Sequence, residues 1–134
     1  MEAVTKVLDF LKASGVYYIA TVDSDRPRVR PFGGVCEFEG KLYIPTSNKK
    51  KFFEQITKNP HIEISSFYGG KWIRLEAEAV PDQRREARKA VLDAHGEALT
   101  SMYSLDDGIF EVFYLKNAAA AFCSFTEPTE TVSF

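Results

Sequence analysis

The segment KWIRLEAEAV, residues 71–80, alternates polar and apolar side chains almost without interruption. Successive side chains of a β-strand point to opposite faces, so one face of this segment is apolar and the other is polar. The residues HIEISSF (61–67) precede it, and the intervening YGG predicts a hairpin between the two strands. One buried face is therefore expected, and its members are Ile73, Leu75, Ala77 and Ala79.

Other short segments rich in β-branched and aromatic residues indicate strands at 16–22, 28–38, 41–45, 109–115 and 118–125. The last two are expected to pair with each other, and the polar tail 126–134 is expected to be loose. Pro31 and Gly33-Gly34 interrupt the second segment, which indicates a bulge or a close approach to the backbone. Helical spacing and capping residues predict helices near 2–13, 49–57 and 83–95.

The length of 134 residues suits a single domain spanning 1–134, and no repeat or linker divides it. Six or seven strands with short turns and a few peripheral helices predict a mainly β protein, a small antiparallel barrel. A content of 13% aromatic residues agrees with a β-rich core of packed rings.

Charge and composition argue against several functional classes. The formal net charge is −2, which disfavours a generally basic nucleic-acid-binding protein. No apolar run is long enough to cross a membrane, and the acidic N-terminal segment is unlike a signal peptide, so a cytoplasmic location is expected. Cys36 and Cys123 lack metal-ligand spacing and are expected to be reduced and buried. His61 and His95 are expected to have structural or surface roles, with no metal site.

The segment RPRVRPF, residues 26–32, carries the first candidate binding residues. Residues two apart on a strand share a face, so Arg28, Arg30 and Phe32 point one way and Val29 points the other. Two neighbouring guanidinium groups repel each other unless an anion or carboxylates lie between them. This strand is therefore a candidate for binding an anionic group.

The segment TSNKKK, residues 46–51, supplies the second set of candidates. We expect Thr46, Ser47 and Asn48 to lie at the start of the following helix, where free backbone N–H groups and the helix dipole favour anions. Lysines in the first turn oppose that dipole, and a bound phosphate near Lys50 would offset this cost.

Two other interpretations of these charges remain open. The basic side chains are solvated and paired with Glu37, Glu39 or Glu54, or they bind single-stranded nucleic acid together with nearby phenylalanines. The phenylalanines in question are Phe32, Phe52 and Phe53.

The sequence resembles the pyridoxamine 5′-phosphate oxidase-like FMN-binding split barrels over residues 4–125, and within them a short branch of oxidase-like members that share T-S-N-x-K. The segments that carry the resemblance are IATVDSDRPRVRPFG, TSNKKKFFEQITKNPHIEI and WIRLEAEAV, in this order and spacing. The resemblance implies a split β-barrel and a homodimer with FMN at the subunit interface.

Matched by position, the resemblance implies that Arg30 and Lys50 hold the FMN phosphate, helped by Thr46, Ser47 and Asn48. Arg28 faces the same phosphate or the solvent. Pro31, Phe32 and Gly33 line the flavin ring, and Trp72 and Arg74 are candidates for reaching the site from the other subunit.

The function that the resemblance implies is that of an FMN-dependent oxidoreductase acting on a small organic substrate. The chain ends in FCSFTEPTETVSF without the arginine-rich substrate segment of the pyridoxamine phosphate oxidases, so oxidation of vitamin B6 itself is not expected. Two alternatives remain: a non-catalytic flavin-binding or storage protein, and a split barrel that binds haem or a deazaflavin.

Overall fold

The computed structural model describes residues 2–134, and strands dominate it. Within residues 2–134 the three predicted helices are present together with one further short helix, and there are eight strands where six or seven were predicted. The helices are α1 (Glu2–Ser14), α2 (Lys51–Lys58), α3 (Arg85–His95) and α4 (Glu97–Thr100). The strands are β1 (Tyr17–Asp23), β2 (Arg26–Phe32), β3 (Cys36–Phe38), β4 (Lys41–Ser47), β5 (His61–Tyr68), β6 (Lys71–Pro81), β7 (Phe110–Ser124) and β8 (Glu130–Ser133).

All strand pairs are antiparallel, and the order along the sheet is β2-β1-β5-β6-β7-β4-β3, with β8 added to β7. The two ends of this order, β2 and β3, are joined by only three residues, 33–35. Three residues span roughly 10 Å, so the sheet must curl until its two ends approach each other. The result is the predicted antiparallel barrel, open between β2 and β3.

The main core fills the barrel. It contains the predicted apolar face of β6, and α1 covers it through the buried Val4, Val7 and Leu11. Helix α2 adds Phe52 and Ile56 to the same core. A second, smaller core lies between α3, α4 and the outer side of β3, β4 and β7, around Tyr43, Val91 and Phe110. Strand β4 therefore has both faces buried, and its end is enclosed by helices.

The C-terminal region differs from the prediction in two respects. The expected strand pair 109–115 and 118–125 is one continuous strand, β7, because Asn117-Ala118 forms a bulge against β6 instead of a turn. Asn117 adopts a φ of 51°, a conformation that asparagine tolerates well, and its side chain bonds to Glu78. The tail is not loose, because β8 pairs with β7 and Val132 and Phe134 pack on the core.

The bounds of two secondary-structure elements near the candidate site also differ from the prediction. The predicted strand 28–38 is divided into β2 and β3, and the interruption falls at the two glycines. Helix α2 begins at Lys51, so Thr46 and Ser47 lie at the end of β4 and do not cap a helix. Lys50 is the residue that precedes the helix, and no side chain caps it.

Candidate functional site

A cavity of about 420 Å³ opens where β2 and β4 end. Its first wall comes from β2 and the following glycines, with Pro31, Phe32 and Gly33 as lining residues. Thr46 and Lys50 line it from the end of β4 and the start of α2. Five of the residues predicted from the sequence therefore meet around one space, although 12 residues separate Gly33 from Thr46 in the chain.

Beside this cavity the backbone at Gly34 packs so closely against Pro45 and His95 that a side chain would not fit without a shift. A Cβ atom on Gly34 would lie 2.9 Å from Cγ of Pro45 and 3.1 Å from Nε2 of His95. Its carbonyl oxygen accepts a hydrogen bond of 2.6 Å from the buried Tyr17 hydroxyl. The close backbone approach expected at Gly33-Gly34 is thus confirmed, and Gly34 is the residue that requires it.

Arg30 lies on the inner face of β2, opposite the buried Ile19 of β1. Its guanidinium donates to Thr21 Oγ1 at 2.7 Å and to Gln55 Oε1 at 2.7 Å, and it stands 5.0 Å from the centre of the Phe52 ring. No carboxylate within residues 2–134 lies within salt-bridge distance of it. Burial, and secondarily the charge of Arg28, lower the pKa of Arg30 from its usual value. Arg30 is thus a half-buried cation held by neutral partners.

Thr46 is the most unusual polar residue of the cavity. Only 2% of its surface is exposed, and its Oγ1 atom has no hydrogen-bond partner within the described residues. A buried hydroxyl without a partner costs about 1–3 kcal/mol. Lys50, at the same cavity, is exposed and forms none of the salt bridges found in residues 2–134. Its pairing with Glu37, Glu39 or Glu54 is therefore not observed.

The remaining predicted residues on this side have other contacts. Ser47 Oγ accepts a hydrogen bond from the Lys49 amide, and the Asn48 side chain donates to Gly108 O and Glu111 Oε2. Arg28 forms an exposed ion pair with Asp23 at 3.0 Å, so its observed partner is a carboxylate of the neighbouring strand. These three residues do not line the cavity, and neither does Arg30.

Trp72 and Arg74 lie on the outer face of β6, away from this cavity. Arg74 pairs with Glu63 at 3.1 Å, and the Trp72 ring packs 4.9 Å from the ring of Phe125. Within one chain they do not join the other candidates.

The side of the cavity formed by α3, α4 and the following turn was not predicted from the sequence. His95 lines the cavity from the end of α3, together with Leu99, Met102 and Tyr103 from α4 and the turn that follows it. Nothing in the local sequence marks His95, because its position depends on how α3 packs against β4. The only available signal was Gly34, whose missing side chain leaves room for it.

Three further observations bear on the sequence-based predictions. Cys36 and Cys123 are both free thiols; Cys36 is buried, which raises its pKa to about 11, and Cys123 is half-buried. Within residues 2–134 no group of three His, Cys, Asp or Glu side chains is placed to hold a metal ion. None of the described helices is long and apolar enough to span a membrane.

The family model described as pyridoxamine 5′-phosphate oxidase matches residues 3–121. The chain belongs to this family. No protein with a curated description matches the sequence. The predicted resemblance is therefore confirmed at the level of the family and of the fold.

Three solved structures share the fold of this chain. A NimC/NimA family protein from Clostridium acetobutylicum is 47% identical, with a TM-score of 0.96 over 99% of this chain and 93% of that one. An FAD-binding protein from Mesorhizobium loti is 14% identical (TM-score 0.61, 90% and 94% covered). HutZ, a haem storage protein from Vibrio cholerae, is 18% identical (TM-score 0.64, 87% and 90% covered). At these lower identities the likeness concerns the fold alone.

Proposed function

We propose that the protein is a homodimeric flavoprotein that binds FMN beside β2 and β4 and acts as an oxidoreductase on a small organic substrate. The observation that carries the proposal is the convergence of Thr46, Lys50 and the end of β2 on one cavity, with Arg30 on the same strand. Membership of the pyridoxamine 5′-phosphate oxidase family supports the choice of a flavin.

The charges in and beside the cavity suit a phosphate: Lys50 lines it, and Arg30 lies on the strand that supplies Pro31 and Phe32 without lining it. Arg30 and Lys50 have no carboxylate partner among residues 2–134, so neither charge is neutralised within the described chain. A guanidinium group offers a planar pair of donors to phosphate oxygens, and an ammonium group adds a point charge. The uncapped start of α2 contributes free N–H groups beside Lys50.

The other walls suit an aromatic ring. Pro31, Phe32 and Pro45 give apolar contact, and the unpartnered Thr46 hydroxyl can bond to a polar edge of the ligand. When bound, a flavin supplies reversible transfer of electrons or hydride. In this proposal the protein positions the ring and the phosphate and excludes water from one side of the ring.

A second copy of the chain would complete the site. The outer faces of β1 and β2 carry cross-strand pairs of apolar residues, Tyr18 with Pro31, Ala20 with Val29, and Val22 with Pro27. Tyr18 is 49% exposed and Val29 67% exposed. An apolar sheet face of this kind is typical of a subunit interface, and it adjoins the cavity through Pro31. Trp72 and Arg74 then belong to the site only through the partner.

The absorption spectrum of the freshly purified protein, with mass analysis of the released ligand, tests the proposal directly. We expect the spectrum and mass of FMN, and rapid reoxidation of the reduced flavin by an acceptor in turnover with NAD(P)H. A bound flavin without turnover on any donor indicates a storage protein. A strong Soret band on addition of haem, without flavin uptake, or a released deazaflavin, contradicts the FMN assignment.

Sedimentation in the presence of FMN tests the dimer. We expect a dimer at micromolar protein, and we expect Val29→Asp to yield monomers with weakened FMN binding. Ser24→Asp, in the exposed turn between the same strands, is the matched control and should leave the dimer and the FMN affinity unchanged. A wild-type monomer that still binds FMN contradicts a shared site.

A further inference from the structure

The wall opposite β2 has no role in the proposed contacts with FMN. It is formed by His95 at the end of α3, by Leu99 of α4, and by Met102 and Tyr103 in the following turn. Met102 is 64% exposed although it borders a cavity. A large apolar side chain exposed at the mouth of a cavity is a feature of binding sites.

The orientation of the His95 ring is fixed by a hydrogen bond. Its Nδ1 lies 2.8 Å from the carbonyl oxygen of Val91. A carbonyl oxygen only accepts, so Nδ1 must carry the proton, and in the neutral ring Nε2 is left with a free lone pair. Nε2 lies beside the cavity, 3.1 Å from the position that a Cβ atom on Gly34 would take, and no hydrogen-bond partner for it is found among residues 2–134.

The other groups around the cavity restrict what can meet Nε2. Lys50 is the one ionisable group besides His95 and Tyr103 that lines the cavity within the described chain. No carboxylate of the described residues lines it, so nothing on this wall would balance the charge of a cationic ligand. The remaining surface is mainly apolar, apart from the unpartnered Thr46 hydroxyl. A neutral donor on an apolar molecule is the chemistry that fits.

We propose that the α3–α4 wall is the substrate side of the cavity, and that it takes a small, mainly apolar molecule whose N–H or O–H group donates to Nε2 of His95. The inference rests on the proposed function, because it leaves Arg30 and Lys50 to the flavin phosphate and assigns this wall to the second molecule.

Phenol and anisole form a matched pair of probes, because they share a ring and differ in the donor hydroxyl. The chain has two histidines, so ¹H–¹⁵N spectra of the imidazole rings report each one separately. His61 is exposed on β5 and does not line this cavity, and it serves as the internal control. We expect phenol to shift the His95 Nε2 resonance, to leave His61 unchanged, and to bind about tenfold more tightly than anisole.

Two variants separate a ligand contact from a structural role. His95→Gln keeps an acceptor near the position of Nε2 and should retain the preference for phenol. His95→Leu has no acceptor and should bind the two probes equally. Loss of the Val91 hydrogen bond lowers the melting temperature of both variants but does not by itself alter the ratio of the two affinities. A phenol preference that persists in His95→Leu, or probe shifts at His61 alone, overturns the inference.

The titration is repeated with saturating FMN to distinguish this inference from the proposed function. Phenol that still shifts His95 in the FMN-bound protein supports a separate substrate side. Phenol that is displaced by FMN overturns it, because the wall then belongs to the flavin. If FMN does not bind at all, the proposed function fails, and the phenol-to-anisole ratio in the protein without FMN still decides whether His95 contacts a ligand.

Discussion

Arg30 and Gln55 are joined by a hydrogen bond of 2.7 Å between Nη2 of the guanidinium group and Oε1 of the amide. The same oxygen accepts from the Thr21 hydroxyl at 2.5 Å, and Thr21 Oγ1 accepts from Nη1 of Arg30 at 2.7 Å. Strands β1 and β2 and helix α2 thus hold one cation through a closed set of neutral partners. These hydrogen bonds orient the guanidinium group, and no carboxylate among residues 2–134 pairs with its charge.

The first prediction concerns the phosphate. Losing one charged hydrogen-bonding partner of a bound anion costs about 1.5–3 kcal/mol, so Arg30→Ala and Lys50→Ala should each weaken FMN binding by roughly ten- to a hundredfold. Riboflavin, which lacks the phosphate, should bind poorly to the wild type and be little affected by either substitution. Fluorescence titration measures both ligands.

Lys49→Ala and Lys89→Ala are the matched controls, since both lysines are exposed and neither lines the cavity. If the basic residues bind nucleic acid instead, Arg30→Ala and Lys50→Ala reduce a salt-dependent affinity for single strands and leave FMN binding unchanged. Equal wild-type affinity for riboflavin and FMN would remove the phosphate assignment.

The second prediction uses the Arg30–Gln55 contact itself. Gln55→Glu places a carboxylate 2.7 Å from the guanidinium group with almost no change in shape. The new charge competes with the phosphate for Arg30, so we expect FMN affinity to fall about tenfold or more while riboflavin binding is unchanged. Glu54→Gln, at the neighbouring exposed position paired with Lys58, is the control. FMN affinity that is unaffected by Gln55→Glu would show that Arg30 does not meet the phosphate.

Most of the barrel could be predicted from the sequence, because the alternation of polar and apolar residues within a single strand shows which face is buried. The alternation of Ile73, Leu75, Ala77 and Ala79 requires one buried face, and all four are buried. The C-terminal region was harder, because Asn117 is as suitable for a bulge as for a turn. Which of the two forms depends on pairing with β6, a contact between distant parts of the chain.

Contacts between distant parts of the chain also limited the prediction of the candidate site. Pro31, Phe32, Gly33, Thr46 and Lys50 were predicted and do line one cavity. The neutral partners of Arg30 were not predicted, because Thr21 and Gln55 reach it from other elements. His95 was missed for the same reason. A sequence pattern identifies which residues of one strand share a face, but not which helix closes that face.

The third prediction concerns the backbone beside the cavity. Gly34→Ala would place Cβ 2.9 Å from Cγ of Pro45, which is closer than such atoms approach without a shift, so we expect a loss of about 1–3 kcal/mol in the free energy of unfolding. Gly33→Ala is the control, because its Cβ would find only Gly15 O, at 3.9 Å. Urea denaturation measures the free energy of unfolding of both variants. Equal stability of the two variants would show that the approach at Gly34 is loose.

The fourth prediction tests whether β8 is part of the folded domain. Val132 lies opposite Ala120 of β7 and packs against the main core, and Lys6 of α1 forms an ion pair with Glu130. Val132→Asp brings a charge into this contact and should lower the free energy of unfolding by about 1–3 kcal/mol. Ser133→Asp, one residue further on and exposed, should change it little. Hydrogen exchange of the β8 amides provides a second measurement, and unprotected amides would contradict the assignment of a stable strand.

The last prediction concerns acid stability and the buried Asp82. Burial alone would raise the pKa of Asp82, but hydrogen bonds from Arg84 and Tyr43 outweigh it and hold the pKa below its usual value. Because the folded-state pKa lies below the unfolded one, at about 3.9, the ionised carboxylate stabilises the fold above that pH, and this contribution is lost as the pH falls toward the folded-state value. Asp82→Asn should therefore be less stable than the wild type at pH 7, and the difference should narrow below about pH 4.

Asp93→Asn, which removes an exposed pair with Lys89, should show little difference at either pH. Urea denaturation at several pH values measures these differences, and a gap between Asp82→Asn and the wild type that stays constant with pH would mean that the ionisation of Asp82 does not contribute to folding.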